Sequence, residues 1–115
     1  MRAIIQIEGT LPESGVYVIR EGHMVRLFFD LIPAEDGYAC NNVDVPLPAT
    51  YGRVVGAIIA DSYTADMREA IISNYEEAKD QTSGISDEKR KEYIAEYNDF
   101  QLYRKKAKQI ARLIL

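Results

Sequence analysis

The hydrophobic pattern changes period once, near Pro48, and that single change restricts the folds open to the chain. Before it, apolar residues alternate. Ala3, Ile5 and Ile7 alternate with Arg2, Gln6 and Glu8, and VYVIR at 16–20 is rich in β-branched and aromatic residues. Within MVRLFFDLI at 24–32, Val25, Leu27, Phe29 and Leu31 share one face, opposite Arg26 and Asp30; further on, Val43, Val45 and Leu47 alternate with Asn42, Asp44 and Pro46. A period of two is the mark of a half-buried strand. After Pro48, Tyr51, Val54, Val55, Ile58 and Ile59 recur at helical spacing. Strands that all precede the helices cannot form βαβ crossovers, so the pattern predicts an α+β fold: a small, mainly antiparallel sheet of about four strands, followed by three helices packed on its apolar face.

Punctuation places the boundaries. EGTLPESG ends the first strand, Glu21-Gly22-His23 predicts a hairpin turn, and a loop around Pro33–Gly37 leads to the fourth strand, which Pro46 marks as an edge or short strand. Thr50, Thr64 and Ser86 stand where helix N-caps belong. They predict helices from about residue 50 to 63, from Ala65 to Lys79, and from Ser86 onward. The second carries Met67, Ala70, Ile71, Asn74, Tyr75 and Ala78 on one stripe. In the third, Phe100, Tyr103, Ala107, Ile110, Ala111 and Ile114 fall within an arc of about 100°. Gly52, Gly56 and Ala60, four apart, suggest close packing of the first helix against a neighbour. With 115 residues and no repeat or long linker, the chain reads as one domain, residues 1–115, with strands in 1–47 and helices in 48–115.

Charge is unevenly placed. Residues 1–103 carry eighteen acids against nine bases, whereas residues 104–115 carry five bases and no acid. Arg104, Lys105, Lys108 and Arg112 form one strip beside the apolar face of the third helix, while Lys106 points elsewhere. These four are the candidate interaction face. Basic residues at a helix C-terminus are expected from the dipole alone, and the acidic remainder would repel a polyanion. Nucleic-acid binding is therefore not expected.

Little in the sequence suggests catalysis. His23, the only histidine, lies in a turn, and Cys40, the only cysteine, has no visible catalytic partner. One cysteine permits neither an intrachain disulfide nor a zinc-binding cysteine set. Glu35, Asp36, Asn41, Asn42 and Asp44 are oxygen-rich but lack the ligand spacing of a calcium loop, and no phosphate-binding glycine loop occurs. The pair of helices around residues 56–72 fails as a DNA-reading helix-turn-helix, because Asp66 and Glu69 stand where phosphate contacts belong. The reading is of a non-enzyme with no cofactor, no metal and no evident small-molecule substrate. An N-terminus without a long apolar core, and the absence of any 18-residue apolar run, predict a cytoplasmic protein with no membrane contact.

Three segments, YGRVVGAIIADSY, DMREAIISNYEEA and YNDFQLYRKKAKQIA, together resemble the C-terminal part of short, uncharacterised proteins encoded in bacterial prophages and related mobile elements. The resemblance covers about residues 51–111 and carries no catalytic residue with it. It implies a phage-associated setting such as virion or tail assembly. The function expected is thus protein interaction, by self-association or with a protein partner. A nucleic-acid role for the basic helix is the alternative, and a carboxylate-based enzyme is held in reserve.

Overall fold

A computed structural model describes residues 2–7 and 11–115. Four strands come first: β1 (Arg2–Ile5), β2 (Tyr17–Glu21), β3 (Met24–Ala34) and β4 (Gly37–Pro46). Three helices follow, α1 (Tyr51–Ser62), α2 (Ala65–Lys79) and α3 (Asp87–Ile114). The sheet is antiparallel throughout, in the order β1-β4-β3-β2. This is the small α+β fold that the change of period predicts. Part of the turn-rich stretch EGTLPESG, residues 8–10, lies outside the described residues.

The sheet is staggered, and its prolines show why. β1 pairs with β4 only over residues 38–41, and β2 pairs with β3 only over 24–28. Pro46 and Pro33 both lie beyond those stretches, where their strands have a single neighbour and no ladder bond is lost. β4 is therefore an internal strand of ten residues, not a short edge strand; Pro46 marks only the end at which it is unflanked. The loop expected around residues 33–37 is a tight turn of Glu35 and Asp36, across which Ala34 pairs with Gly37.

One face of the sheet supplies the core. Val25 opposes Val45 and Leu27 opposes Val43, and all four are buried. Phe29 continues the row, and then the register slips by one residue between Phe29 and Ile32. Asp30, at φ 55°, takes up the bulge. Leu31 consequently leaves the row of Val25, Leu27 and Phe29, and Ile32 takes its register position.

Local signals define the helices well. The side chains of Thr50, Thr64 and Ser86 accept hydrogen bonds from the backbone N–H groups of Arg53, Met67 and Lys89, which satisfies one otherwise unpaired donor at each N-terminus. α1 lays Val54, Ile58 and Ile59 on the sheet, and the second half of α3 adds Phe100, Ala107, Ile110 and Ala111 to the same core. Tyr103 ties these two helices together: its hydroxyl donates to the Ile58 carbonyl and accepts from Ser62 Oγ. The Gly52, Gly56 and Ala60 ladder is not a packing face. All three are exposed, and a Cβ added at Gly52 or Gly56 would meet nothing within 4 Å. They lie on the side of α1 opposite its buried stripe. Gly56→Ala is accordingly expected to stabilise the protein by about 0.5–1 kcal/mol, seen as a higher melting temperature, because it removes only unfolded-chain freedom.

α2 and the first half of α3 form a hairpin that projects from this core. A compact chain of this length has a radius of gyration of about 13 Å; here it is 17.4 Å, with extents of 57 × 33 × 21 Å. α2 packs chiefly on α3. The rings of Tyr75 and Tyr97 stack at 3.7 Å, and Arg90 Nη1 donates to the carbonyls of Ala78 and Asp80, capping the negative end of α2. Of the α2 stripe, Ala78 is buried and Ile71, Asn74 and Tyr75 are half-buried, whereas Met67 and Ala70 face solvent, because α2 has a helix on one side and no sheet beneath it.

Candidate interaction surface

Two clusters of polar residues sit on α3, and the sequence singled out only one. The unforeseen cluster lies at the bulge. Lys106 Nζ meets Asp30 Oδ2 at 2.5 Å, Asn41 Nδ2 donates to the same oxygen at 3.0 Å, and Arg2 Nη1 donates to Asn41 Oδ1 at 3.0 Å. The chain of contacts joins β1, β4, β3 and α3. Lys106 and Asp30 remain 41% and 33% exposed, so the pair contributes about 1 kcal/mol or less and acts as a positional clip. A partner 76 residues away and a bulge in β3 at Asp30 leave no trace in local spacing.

The foreseen strip stays together as a surface. Lys105 and Arg112 are exposed and Arg104 and Lys108 half-buried. Arg104 Nη1 donates to Gln101 Oε1, and the Arg112 guanidinium lies 6.0 Å from the Tyr51 ring. Among the described residues none of the four forms an ion pair with a carboxylate. Phe100, by contrast, is buried, and Tyr103 is half-buried with its hydroxyl engaged at α1. Neither ring is offered to a nucleobase.

The hairpin displays apolar and acidic surface. Met67, Ile72 and Ile94 are between 37% and 47% exposed, although each is a large apolar side chain on a helix. Between α2 and α3 runs an open groove of about 580 Å³, with Ile72 and Phe100 on its walls and Arg68, Glu76 and Arg104 along it. A second groove, of about 380 Å³, lies on the other flank of α2, with Met67 and Ile71 beside Glu96 and Asp99. Residues 66–99 hold ten carboxylates and five bases, a balance of −5, against +5 for residues 104–115. The molecule is thus polarised along α3.

The remaining sequence candidates are dispersed. Cys40 is fully buried in β4, its thiol facing the Ala3 carbonyl at 3.7 Å, while His23 is exposed in the β2–β3 turn, where its carbonyl accepts from the Leu47 N–H. Six to seven residues of strand, about 20 Å, separate them. Burial pushes the Cys40 thiol above its ordinary range, against a smaller opposing pull from Arg2. Cys40 is therefore expected to resist thiol-specific labelling in the native protein and to react at once in denaturant, a contrast readable by mass spectrometry. The oxygen-rich set is likewise spread out: Asp44 pairs with Arg26, Asn41 with Asp30, and Glu35 and Asp36 form a turn. Among the described residues, no group of three or more His, Cys, Asp or Glu could hold a metal ion, and no helix is long and apolar enough to cross a membrane.

Compared with known proteins, the chain matches no family model, no curated protein and no solved structure.

Proposed function

We propose that this is a non-enzymatic protein-interaction or assembly protein, acting through the projecting α2–α3 hairpin and the basic strip beside it. One observation carries the reading: a helical hairpin held away from the core leaves Met67, Ile72 and Ile94 in solvent. Exposed apolar surface of this kind has a cost in free solution that a protein partner removes. Virion or tail assembly is the setting implied by the prophage resemblance of residues 51–111. The test is site-specific photo-cross-linking. A photoreactive phenylalanine at position 72, exposed in the free chain, is expected to yield an adduct with protein in the source cell; no adduct, or one removed by nuclease, would contradict the reading.

The four cations without carboxylate partners favour a second reading, nucleic-acid association. It is the weaker one. At most four charges line up, the nearby aromatic rings are occupied, and the rest of the chain repels phosphate. Fluorescence anisotropy with labelled single- and double-stranded DNA and RNA is expected to show no appreciable binding near physiological salt. Submicromolar binding that weakens with salt, and is lost when Arg104, Lys105, Lys108 and Arg112 become Gln, would make this second reading the better one.

A further inference from the structure

We infer that the partner of the basic strip is a second copy of this chain, whose acidic outer face of α2 docks on it about a two-fold axis. The inference rests on the interaction reading above and names its occupant.

The two helices differ in length. α3 has 28 residues, about 42 Å, and α2 has 15, about 22 Å. α2 runs antiparallel along the first half of α3. Its C-terminal end is held by Arg90, its middle by the Tyr75–Tyr97 stack, and its start shares a groove with Gln101 and Arg104. Wound at about 100° per residue, Arg90, Tyr97, Phe100, Gln101 and Arg104 occupy one sector of α3 about 100° wide. Lys108 falls within that same sector and Arg112 and Lys105 just beside it, beyond the point where α2 begins. One edge of the side of α3 that α2 covers in the first half is therefore continued, in the second half, by the basic strip. Together they form a step: α2 stands on α3, and next to it lies an uncovered shelf.

The outer face of α2 is the complement of that shelf. Asp66, Glu69, Ser73 and Glu77 fall within an arc of about 80° facing away from α3, and all four are exposed. Among the described residues neither Asp66 nor Glu69 forms an ion pair. From Asp66 to Glu77 the ridge is about 17 Å long, and from Arg104 to Arg112 the strip is about 12 Å, so the strip fits within the ridge. Ridge and strip lie on one side of the molecule, displaced along α3. A copy turned end for end sets its α2 on the shelf while offering its own shelf in return, as an isologous interface requires. Opposite charges then face each other twice. The −5 of residues 66–99 and the +5 of residues 104–115 then face each other between two chains. Like-charged orientations are disfavoured, so the charges also set the register.

Charge reversal tests this by light scattering and sedimentation equilibrium on the intact chain. At low salt the native protein is expected to have the mass of two chains, and to dissociate towards one as salt approaches about 1 M, where the screening length is about 3 Å. Lys108→Glu with Arg112→Glu, and separately Asp66→Lys with Glu69→Lys, are each expected to weaken pairing at least about tenfold. All four sites lie outside the core, and the melting curve of each variant checks that the fold is kept. The decisive sample is a mixture of the two variants. In a mixed pair, the reversed strip of one meets the reversed ridge of the other and the two native patches also meet, so a heterodimer forms from chains that are separately monomeric. A native chain that is monomeric at low salt, a dimer indifferent to both reversals, or a mixture that fails to pair would overturn the proposal. So would a monomer whose strip binds nucleic acid. A monomer that still cross-links to another protein through position 72 ends the two-fold pairing but leaves the interaction reading in place; a monomer without any protein adduct ends both.

Discussion

Ending the chain at Asp99 is expected to abolish cooperative unfolding. The removed segment supplies Phe100, Ala107, Ile110 and Ala111 to the core, with Tyr103 and Ile114 packed at its edge. Burying one large apolar side chain is worth about 1.5–3 kcal/mol, so Phe100 and Ile110 alone approach the whole stability of a domain at the low end of about 5–15 kcal/mol. Their loss also opens Leu27 and Phe29, 0% and 1% exposed in the native protein, to water. Removal of Lys106 releases the Asp30 clip as well. Circular dichroism during heating is the check. A shortened chain that keeps its sigmoidal transition at the native temperature would show that α3 is an appendage.

Gly37→Ala is expected to cost about 3 kcal/mol, lowering the melting temperature by 10 °C or more at about 4 °C per kcal/mol. Two effects combine. Gly37 sits at φ 126°, a conformation side chains rarely adopt, and a Cβ there would lie 2.2 Å from the Ile5 carbonyl oxygen. The obstacle is backbone of β1, so relief requires the edge strand to move rather than a side chain to turn. Gly22→Ala provides the comparison. It too has positive φ, 58°, but its Cβ would enter open space, so the expected loss is only about 1 kcal/mol. Equal losses at the two positions would mean that β1 is not held where Gly37 meets it.

Features that depend on neighbours in sequence are legible in the sequence itself. Thr50, Thr64 and Ser86 cap helices because a hydroxyl reaches an N–H three residues on, and the apolar arc from Phe100 to Ile114 follows from helical winding alone. The basic strip is a surface for the same reason. What escaped the sequence depends on distant partners. The bulge at Asp30 re-aims β3 and takes Leu31 off its expected face, yet Asp30 looks like any polar residue in an alternating strand. β4 is internal because β1 returns to pair with it, a choice that Pro46 could not announce. The small-residue ladder on α1 has the spacing of a contact face, but the sheet takes the opposite side. Helical spacing in α2 identified an amphipathic helix without revealing that only one of its flanks has a neighbour, and that uncovered flank is where the candidate surface lies.

Central to this account is the docking of the acidic α2 face on the basic strip of a second copy, and its most direct test is whether residue 73 of one copy meets residue 108 of another. Ser73→Cys and Lys108→Cys chains, each made separately, would be mixed at low salt under mild oxidation; Cys40, buried and held protonated, does not compete. The account predicts a disulfide joining the two different chains in clear excess over either variant joined to itself, and a far lower yield when the oxidation is run at high salt, because two cysteines bridge only when their Cα atoms approach within about 7 Å. No disulfide, or equal yields of all three pairings, would contradict it.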